Sequence, residues 1–270
     1  MSQPVNDRRP YHWLVIGGTG SGKTYLARQI IRVYAKKPDY IIVVNSSKQL
    51  REFARHHEVV DIAALEAGFT TRELYVLIKR HGAVHFEVSP GGDEKDIRRF
   101  MDCLGNAAME LGRLETNRCM VLMVLDECQN YVGKKVFSRG MKRVYSEGRK
   151  FGVDTVNITQ QLAGDGDTIH MTVRRMISVL VVCPMDEEAE RDRIQRTWSE
   201  LRDPGELAFP DPKTHRPGEY MVRDRGSRRA CIVRVDARGK RYTEPLFRAD
   251  QRPAPKRRRG GPAPPKRRAA

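Results

Sequence analysis

A chain of 270 residues with 39% hydrophobic content is long enough to bury a full core, as one large domain or two small ones. Its five cysteines, Cys103, Cys119, Cys128, Cys183 and Cys231, form no C-x-x-C pair and are odd in number, which argues against a disulfide framework and for a reduced, intracellular setting. No apolar run approaches the roughly 20 residues that cross a bilayer, so a soluble protein without direct membrane insertion is expected, and the net charge of +16 points to a polyanionic partner.

The first apolar run, Tyr11 to Gly17, reads as a strand. It leads into Gly17-Gly18-Thr19-Gly20-Ser21-Gly22-Lys23-Thr24, which satisfies G-x-x-x-x-G-K-[ST] at every fixed position, and an amphipathic segment follows. Strand, glycine-rich loop and helix together make a phosphate-binding loop. The glycines let successive N–H groups turn inward, Lys23 reaches the β and γ oxygens, Thr24 ligates Mg²⁺, and the helix dipole favours the anion. ATP and Mg²⁺ are the expected ligands.

Strand-like and helix-like segments then alternate as far as about residue 200. The strands are expected at Tyr40 to Asn45, Ala83 to Ser89, Cys119 to Leu125, Val153 to Thr159 and Ser178 to Cys183. Helices are expected near Lys23 to Lys36, Lys48 to His57, Thr71 to His81, Asp93 to Leu114, Val136 to Phe151, Thr168 to Met176 and Asp186 to Ser199. Several strands are nearly continuous Val, Ile, Leu and Met, the composition of strands buried on both faces. The alternation therefore predicts a mainly parallel sheet covered by helices on both sides. His81 and His85 have helix-like spacing, but Gly82 stands between them, so no metal site is expected there.

The run Val121 to Leu125 ends in Asp126-Glu127, the form of a Walker B element at the carboxyl edge of an open α/β sheet. Asp126 is placed to hold Mg²⁺ and Glu127 to orient or deprotonate the attacking water. The strand Val153 to Thr159 ends in Gln160-Gln161. Gln160, which comes first at the strand edge, is the choice for contact with the γ-phosphate or the lytic water.

Beyond Leu201 the texture changes. Asp203-Pro204-Gly205 and Pro210-Asp211-Pro212 punctuate the chain, and the runs Glu219 to Arg223 and Ala230 to Val235 flank a turn, reading as a hairpin with Arg223, Arg225, Arg228 and Arg229 at its tip. From Gln251 to the end there are eight Lys or Arg and no acid, half the net charge of the chain. This tail, with Lys256, Arg257, Arg258, Arg259, Lys266, Arg267 and Arg268, is expected to be disordered and to raise nucleic-acid affinity without reading sequence. A solubilising terminus or a nuclear-import signal has the same composition. The expected organisation is residues 1–202 as nucleotide-binding core, 203–248 as hairpin extension and 249–270 as basic tail.

The phosphate loop, Leu125-Asp126-Glu127-Cys128-Gln129-Asn130, and Ser146-Glu147-Gly148-Arg149-Lys150-Phe151-Gly152-Val153 leading into Ile158-Thr159-Gln160, together resemble the FtsK/HerA superfamily of ring-forming ATPases. In size and motif order the chain is similar to genome-packaging ATPases of internal-membrane, double-jelly-roll double-stranded DNA viruses. The resemblance covers roughly Tyr11 to Cys183 and leaves out the hairpin and tail. It implies a RecA-like (ASCE) P-loop NTPase fold and a homo-oligomeric ring, usually a hexamer, with nucleotide bound between subunits and an arginine supplied in trans. Arg149 is the first candidate for that arginine, with Arg143 and Arg139 behind it. The implied function is ATP-driven translocation of double-stranded DNA, most plainly genome packaging at a capsid vertex in host cytoplasm or virion. The alternatives are a HerA-like cellular translocase, a secretion or extrusion ATPase moving protein or single-stranded DNA and, least favoured, a small-molecule P-loop kinase.

Overall fold

The computed structural model describes residues 12–34, 38–46, 49–60, 69–88, 93–114, 120–162, 169–226, 229–236 and 238–246. The elements are β1 (His12–Ile16), α1 (Lys23–Tyr34), β2 (Tyr40–Asn45), β3 (His56–Val60), α2 (Thr71–His81), β4 (Ala83–Val88), α3 (Glu94–Leu114), β5 (Val121–Leu125), α4 (Gln129–Val132), α5 (Arg139–Phe151), β6 (Val153–Thr159), α6 (Met171–Met176), β7 (Val179–Val182), α7 (Glu188–Thr197), β8 (Tyr220–Asp224), β9 (Arg229–Val235) and β10 (Arg241–Pro245). The basic tail, Arg228 and the loop 163–168 lie outside the described residues.

Ten strands form one sheet in the order β10-β9-β8-β7-β1-β6-β5-β2-β4-β3. From β7 to β3 every neighbouring pair is parallel, as the alternation of strands and helices predicts, and β8, β9 and β10 continue the sheet antiparallel. The hairpin is therefore hydrogen-bonded directly to the parallel sheet through β7 and β8. Alternate side chains of each central strand enter separate cores on the two faces. Leu14 and Ile16 of β1, Ile42 and Val44 of β2, and Met123 and Leu125 of β5 pack with α2, α3 and α5. Ile41, Val43, Leu122 and Val124 pack with Ala27 and Ile31 of α1 on the other face.

Local chemistry sets the helix ends. Thr70 caps α2, its hydroxyl accepting from the Glu73 N–H at 3.2 Å while the Glu73 carboxylate accepts from the Thr70 N–H at 2.8 Å. Ser138 caps α5, accepting from the Met141 N–H at 3.1 Å, and Gly152 ends it in the left-handed conformation. Met141, Val144 and Tyr145 give α5 its buried stripe. Glycines bring α3 and α5 together: a Cβ on Gly140 would stand 2.2 Å from the Asp102 carbonyl oxygen, and one on Gly112 would stand 2.0 Å from that of Phe151.

Two expectations are corrected. The helix expected over Lys48 to His57 is replaced by a 3-10 turn at Arg51–Phe53 followed by β3. His56–Val60 alternates half-buried and exposed positions along an edge strand, a period of two that the flanking polar residues disguise. Strand β10 was not expected at all. It is short, ends in Pro245, pairs only with β9 and exposes Tyr242 and Thr243, so it carries little of the alternation that marks a strand. His81 stacks on His56 with ring centroids 4.2 Å apart, while His85 is buried with its Nε2 2.9 Å from Asn45 Oδ1. Among the described residues no helix is long and apolar enough to cross a membrane.

The core contains a polar stripe. Thr155, Asn157 and Thr159 of β6 are buried on the α5 side. Asn157 Nδ2 donates to the Trp13 carbonyl at 2.8 Å and to Thr155 Oγ1 at 2.9 Å, and the Tyr145 hydroxyl donates to Asn157 Oδ1 at 2.5 Å. His12 Nδ1 lies 3.1 Å from Thr155 Oγ1, and burial pushes the His12 imidazole down to about 4, opposed by a hydrogen bond with the Tyr145 backbone.

Two outcomes follow for stability. Gly112→Ala gains about 1 kcal/mol of helix propensity but drives a methyl into backbone, and a net loss of roughly 1–3 kcal/mol is expected in urea unfolding. His12 binds its proton less tightly folded than unfolded, so its contribution is complete above pH 6.5 and is lost as pH falls towards 4, by about 3 kcal/mol. Unfolding free energies from pH 7.5 to 4.5 are expected to fall less steeply for His12→Gln than for the wild-type chain.

Candidate functional site

The strand order builds the site. β6 lies between β1, which feeds the phosphate loop, and β5, which ends in the two acids. The ends of three adjacent parallel strands thus present the loop, Gln160 and the Asp126-Glu127 pair along one carboxyl edge, where open α/β sheets bind ligands. A cavity of about 240 Å³ opens there, lined by Thr19, Gly20, Lys23, Thr24, Asp126, Glu127, Thr159 and Gln160 among others.

The loop already has the curvature an anion needs. Gly20 and Gly22 adopt φ of 73° and 87°, which side chains rarely accept, and α1 begins at Lys23, which lines the cavity together with Thr24. The loop is tied to the strand beyond it by the Gly18 N–H, which donates to the Pro184 carbonyl at 2.9 Å. Lys23 Nζ donates to the Gly18 carbonyl at 2.7 Å, so the ammonium is folded back over the loop. Burial lowers the Lys23 pKa, with Cys183, Asp126 and Glu127 acting in the opposite direction.

Asp126 is buried at the end of β5, its N–H donating to the Val44 carbonyl at 3.0 Å. Burial raises its carboxyl pKa and the neighbouring Glu127 raises it further, against the Glu127 N–H, Lys23 and Arg28. A desolvated carboxylate beside a threonine hydroxyl on the same cavity is a hard-oxygen donor set. Asp126 and Thr24 therefore fit Mg²⁺, an ion that takes one or two protein oxygens and completes its shell with phosphate and water. Among the described residues no group of three His, Cys, Asp or Glu is arranged around a metal. Glu127 has φ of 51°, one of three non-glycine residues with positive φ among those described. That turn releases Glu127 from the strand direction, and the cavity is lined by both acids.

Gln160 is exposed at the strand edge and its Oε1 accepts from Thr19 Oγ1 at 3.1 Å, linking the phosphate loop to β6. One residue earlier, buried Thr159 Oγ1 lies 2.8 Å from Gln129 Oε1, two positions beyond Glu127. Sequence reasoning missed Gln129 and Thr159 as partners, and also Ser46 and Gln49, which line the cavity beyond β2. Their position after another parallel strand was the available signal.

Neither Arg139 nor Arg143 lines this cavity. Arg139 is exposed at the start of the helix, and Arg143 donates from Nη1 to Asn106 Oδ1 at 2.9 Å. Arg149 lies in the last turn of α5, just ahead of the Gly152 turn that starts β6 from the opposite edge of the sheet; its side chain is outside the described residues. The hairpin tip also lies at that opposite edge, since Asp224 of β8 pairs with Val179 at the start of β7. Arg223 forms an ion pair with Glu200, Arg225 Nη1 donates to the Arg175 carbonyl at 2.6 Å, and Arg229 is exposed.

No protein-family model matches the sequence, and no curated protein matches it. Solved structures do. The genome packaging NTPase B204 from Sulfolobus turreted icosahedral virus 2, in complex with ATP-gammaS, superposes with a TM-score of 0.57 at 15% identity, covering 83% of this chain and 98% of that chain. The DNA-packaging ATPase B204 from Sulfolobus turreted icosahedral virus gives 0.57 at 18% identity over 82% and 96%. VirB4 of Thermoanaerobacter pseudethanolicus gives 0.50 at 13% identity over 71% and 81%. The chain thus has the α/β P-loop NTPase fold that these proteins share.

The positive φ of Glu127 has a measurable cost. Glu127→Ala and Glu127→Gly both remove the carboxylate and its repulsion of Asp126, but only glycine occupies the left-handed region freely. The glycine variant is expected to be the more stable of the two by roughly 1 kcal/mol in denaturant unfolding.

Proposed function

We propose that this protein is an ATPase that translocates double-stranded DNA, working as a viral genome-packaging motor. The observation that carries the reading is the single cavity that gathers Lys23, Thr24, Asp126, Glu127 and Gln160. The likeness in fold to the B204 NTPases supports it, and so does the concentration of positive charge, eight Lys or Arg and no acid from Gln251 onward.

In this reading the Gly17-to-Gly22 backbone and Lys23 bind the β and γ phosphates of ATP. Thr24 and Asp126 hold Mg²⁺, which neutralises phosphate charge when bound. Glu127 accepts the proton of the attacking water, and its strained turn aims the carboxylate into the cavity. Gln160 exchanges its Thr19 partner for the γ-phosphate or that water, so hydrolysis changes a bond at the end of β6. A neighbouring subunit in a ring supplies an arginine from α5, with Arg149 the first choice and Arg143 and Arg139 behind it; such a group makes turnover depend on assembly. Arg225, Arg229 and the tail cations meet phosphates without reading bases, which suits a motor that moves any sequence.

Steady-state ATP hydrolysis by the full-length chain tests this, with no DNA, single-stranded DNA or duplex DNA at moderate salt. Duplex is expected to stimulate turnover several-fold. Lys23→Ala and Glu127→Gln are expected to lower it by at least about a hundredfold, the second while still binding nucleotide. Rapid hydrolysis by either variant overturns the site assignment, and turnover indifferent to nucleic acid overturns the DNA motor.

A further inference from the structure

The side of the phosphate loop turned away from Asp126 and Glu127 is built from residues that the chemistry of hydrolysis does not use. A triphosphate whose γ end lies in the acidic cavity runs its ribose and base out past the first turn of α1 on the other side. Three features stand there. The Pro184 carbonyl holds the Gly18 N–H. Pro210 leans on the loop, its Cγ 3.7 Å from the position a Cβ on Gly22 would take. Tyr25, the residue after Thr24, is 52% exposed, whereas Leu26 and Ala27 beside it are buried.

Tyr25 has a backing that an ordinary surface tyrosine lacks. The Arg241 guanidinium carbon lies 6.0 Å from the Tyr25 ring centroid and 5.6 Å from that of Tyr220, so the cation is shared between two rings. Arg241 Nε is buried and has no hydrogen-bond partner, and among the described residues Arg241 makes no ion pair. This arginine therefore acts through its flat face. It belongs to β10, the last strand of the sheet, and its contact with Tyr25 joins that strand to the helix that begins at the phosphate loop. Tyr220 beneath is half-buried against Leu26 and Val181, which fixes the lower ring.

We propose that Tyr25 is the nucleobase platform of this site: the base of a bound nucleoside triphosphate stacks on the exposed Tyr25 ring, which Arg241 and Tyr220 hold in place from behind, with Pro210 as the neighbouring wall. This deepens the nucleotide-site reading given above and rests on it. A face-on contact engages the π surface that every base has and leaves the hydrogen-bonding edges free, so the platform adds affinity without selecting one base. It also makes the C-terminal strand part of the nucleotide site although it lies far from the loop in sequence.

Calorimetric titration of the full-length protein in magnesium buffer separates base from phosphate. The ligands are ATP-gammaS and inorganic tripolyphosphate, which has the same anionic chain and no base. The proteins are wild type, Tyr25→Ala, Tyr25→Phe and Lys23→Ala, each with its thermal midpoint recorded. Tyr25→Ala is expected to weaken ATP-gammaS about tenfold, within the range of base–aromatic stacking, and tripolyphosphate by less than twofold. Tyr25→Phe, which keeps the ring, is expected to bind both as wild type does. ATP-gammaS affinity unchanged in Tyr25→Ala, or both ligands weakened equally, overturns the platform while Lys23→Ala still loses both ligands. Wild-type affinity for both ligands in Lys23→Ala overturns the nucleotide site itself, and the platform with it.

Discussion

The hydrogen-bonded stripe along β6 is the constraint on which the rest of the site depends. Thr155, Asn157 and Thr159 occupy the face of a central strand that its neighbours fill with Leu, Ile, Val and Met. Leaving one such polar group unpaired costs about 1–3 kcal/mol, so each demands a partner in a fixed place. Asn157 satisfies this by holding the β1 backbone on one side and Tyr145 of α5 on the other. A slip of β6 by one residue would move all three groups to the α1 face, where Ala27, Ile31 and Val43 offer them nothing. The register so fixed brings Gln160 to the level of Thr19 and places Thr159 against Gln129. Chemistry at the carboxyl edge is aligned by polarity deep in the core.

Strain accumulates at that edge and is offset elsewhere. Glu127, a residue with a side chain, lies at positive φ on the cavity, and Asp126 is desolvated beside it. Each arrangement opposes folding slightly. The compensation comes from the tight crossing of α3 and α5, where missing side chains let backbones touch, and from strands buried on both faces. Lys23 shows the balance on one side chain: burial disfavours its charge while Asp126 and Glu127 favour it. A bound phosphate would add to the favourable side, so the loop is poised to gain from the ligand it is shaped for.

The phosphate loop, the paired acids and Gln160 were legible because each depends on residue identity at a strand end, and sequence displays identity directly. The parallel sheet was legible because continuous runs such as Ile41 to Val44 leave few other environments. Strand β3 was misread because His56-His57-Glu58 looks polar and helical until its edge position is known. The β6 stripe has no readable signal of its own: Thr, Asn and Thr at every second position ordinarily mark a solvent face, and only the packing of α5 against them turns them inward. Strand β10 pairs locally with β9 but carries little alternation, and the clustering of Arg241 with Tyr25 depends on a contact across more than 200 residues, which no local pattern records.

The two edges of the parallel strands carry different chemistry. Loop, acids and Gln160 occupy the carboxyl edge, and the basic hairpin tip lies at the other edge. Of the tip cations described, Arg223 is neutralised by Glu200, while Arg225 keeps its charge although its direction is fixed by the Arg175 carbonyl, and Arg229 faces solvent. Among the described residues the tip presents two exposed cations, against a net charge of +16 for the chain. A chain that grips phosphate polymers must then draw most of its electrostatic attraction from elsewhere, and the residues from Gln251 to Ala270 carry eight cations with no acid among them. Attraction drawn from such a run of cations weakens steeply with salt, because each phosphate contact releases counterions.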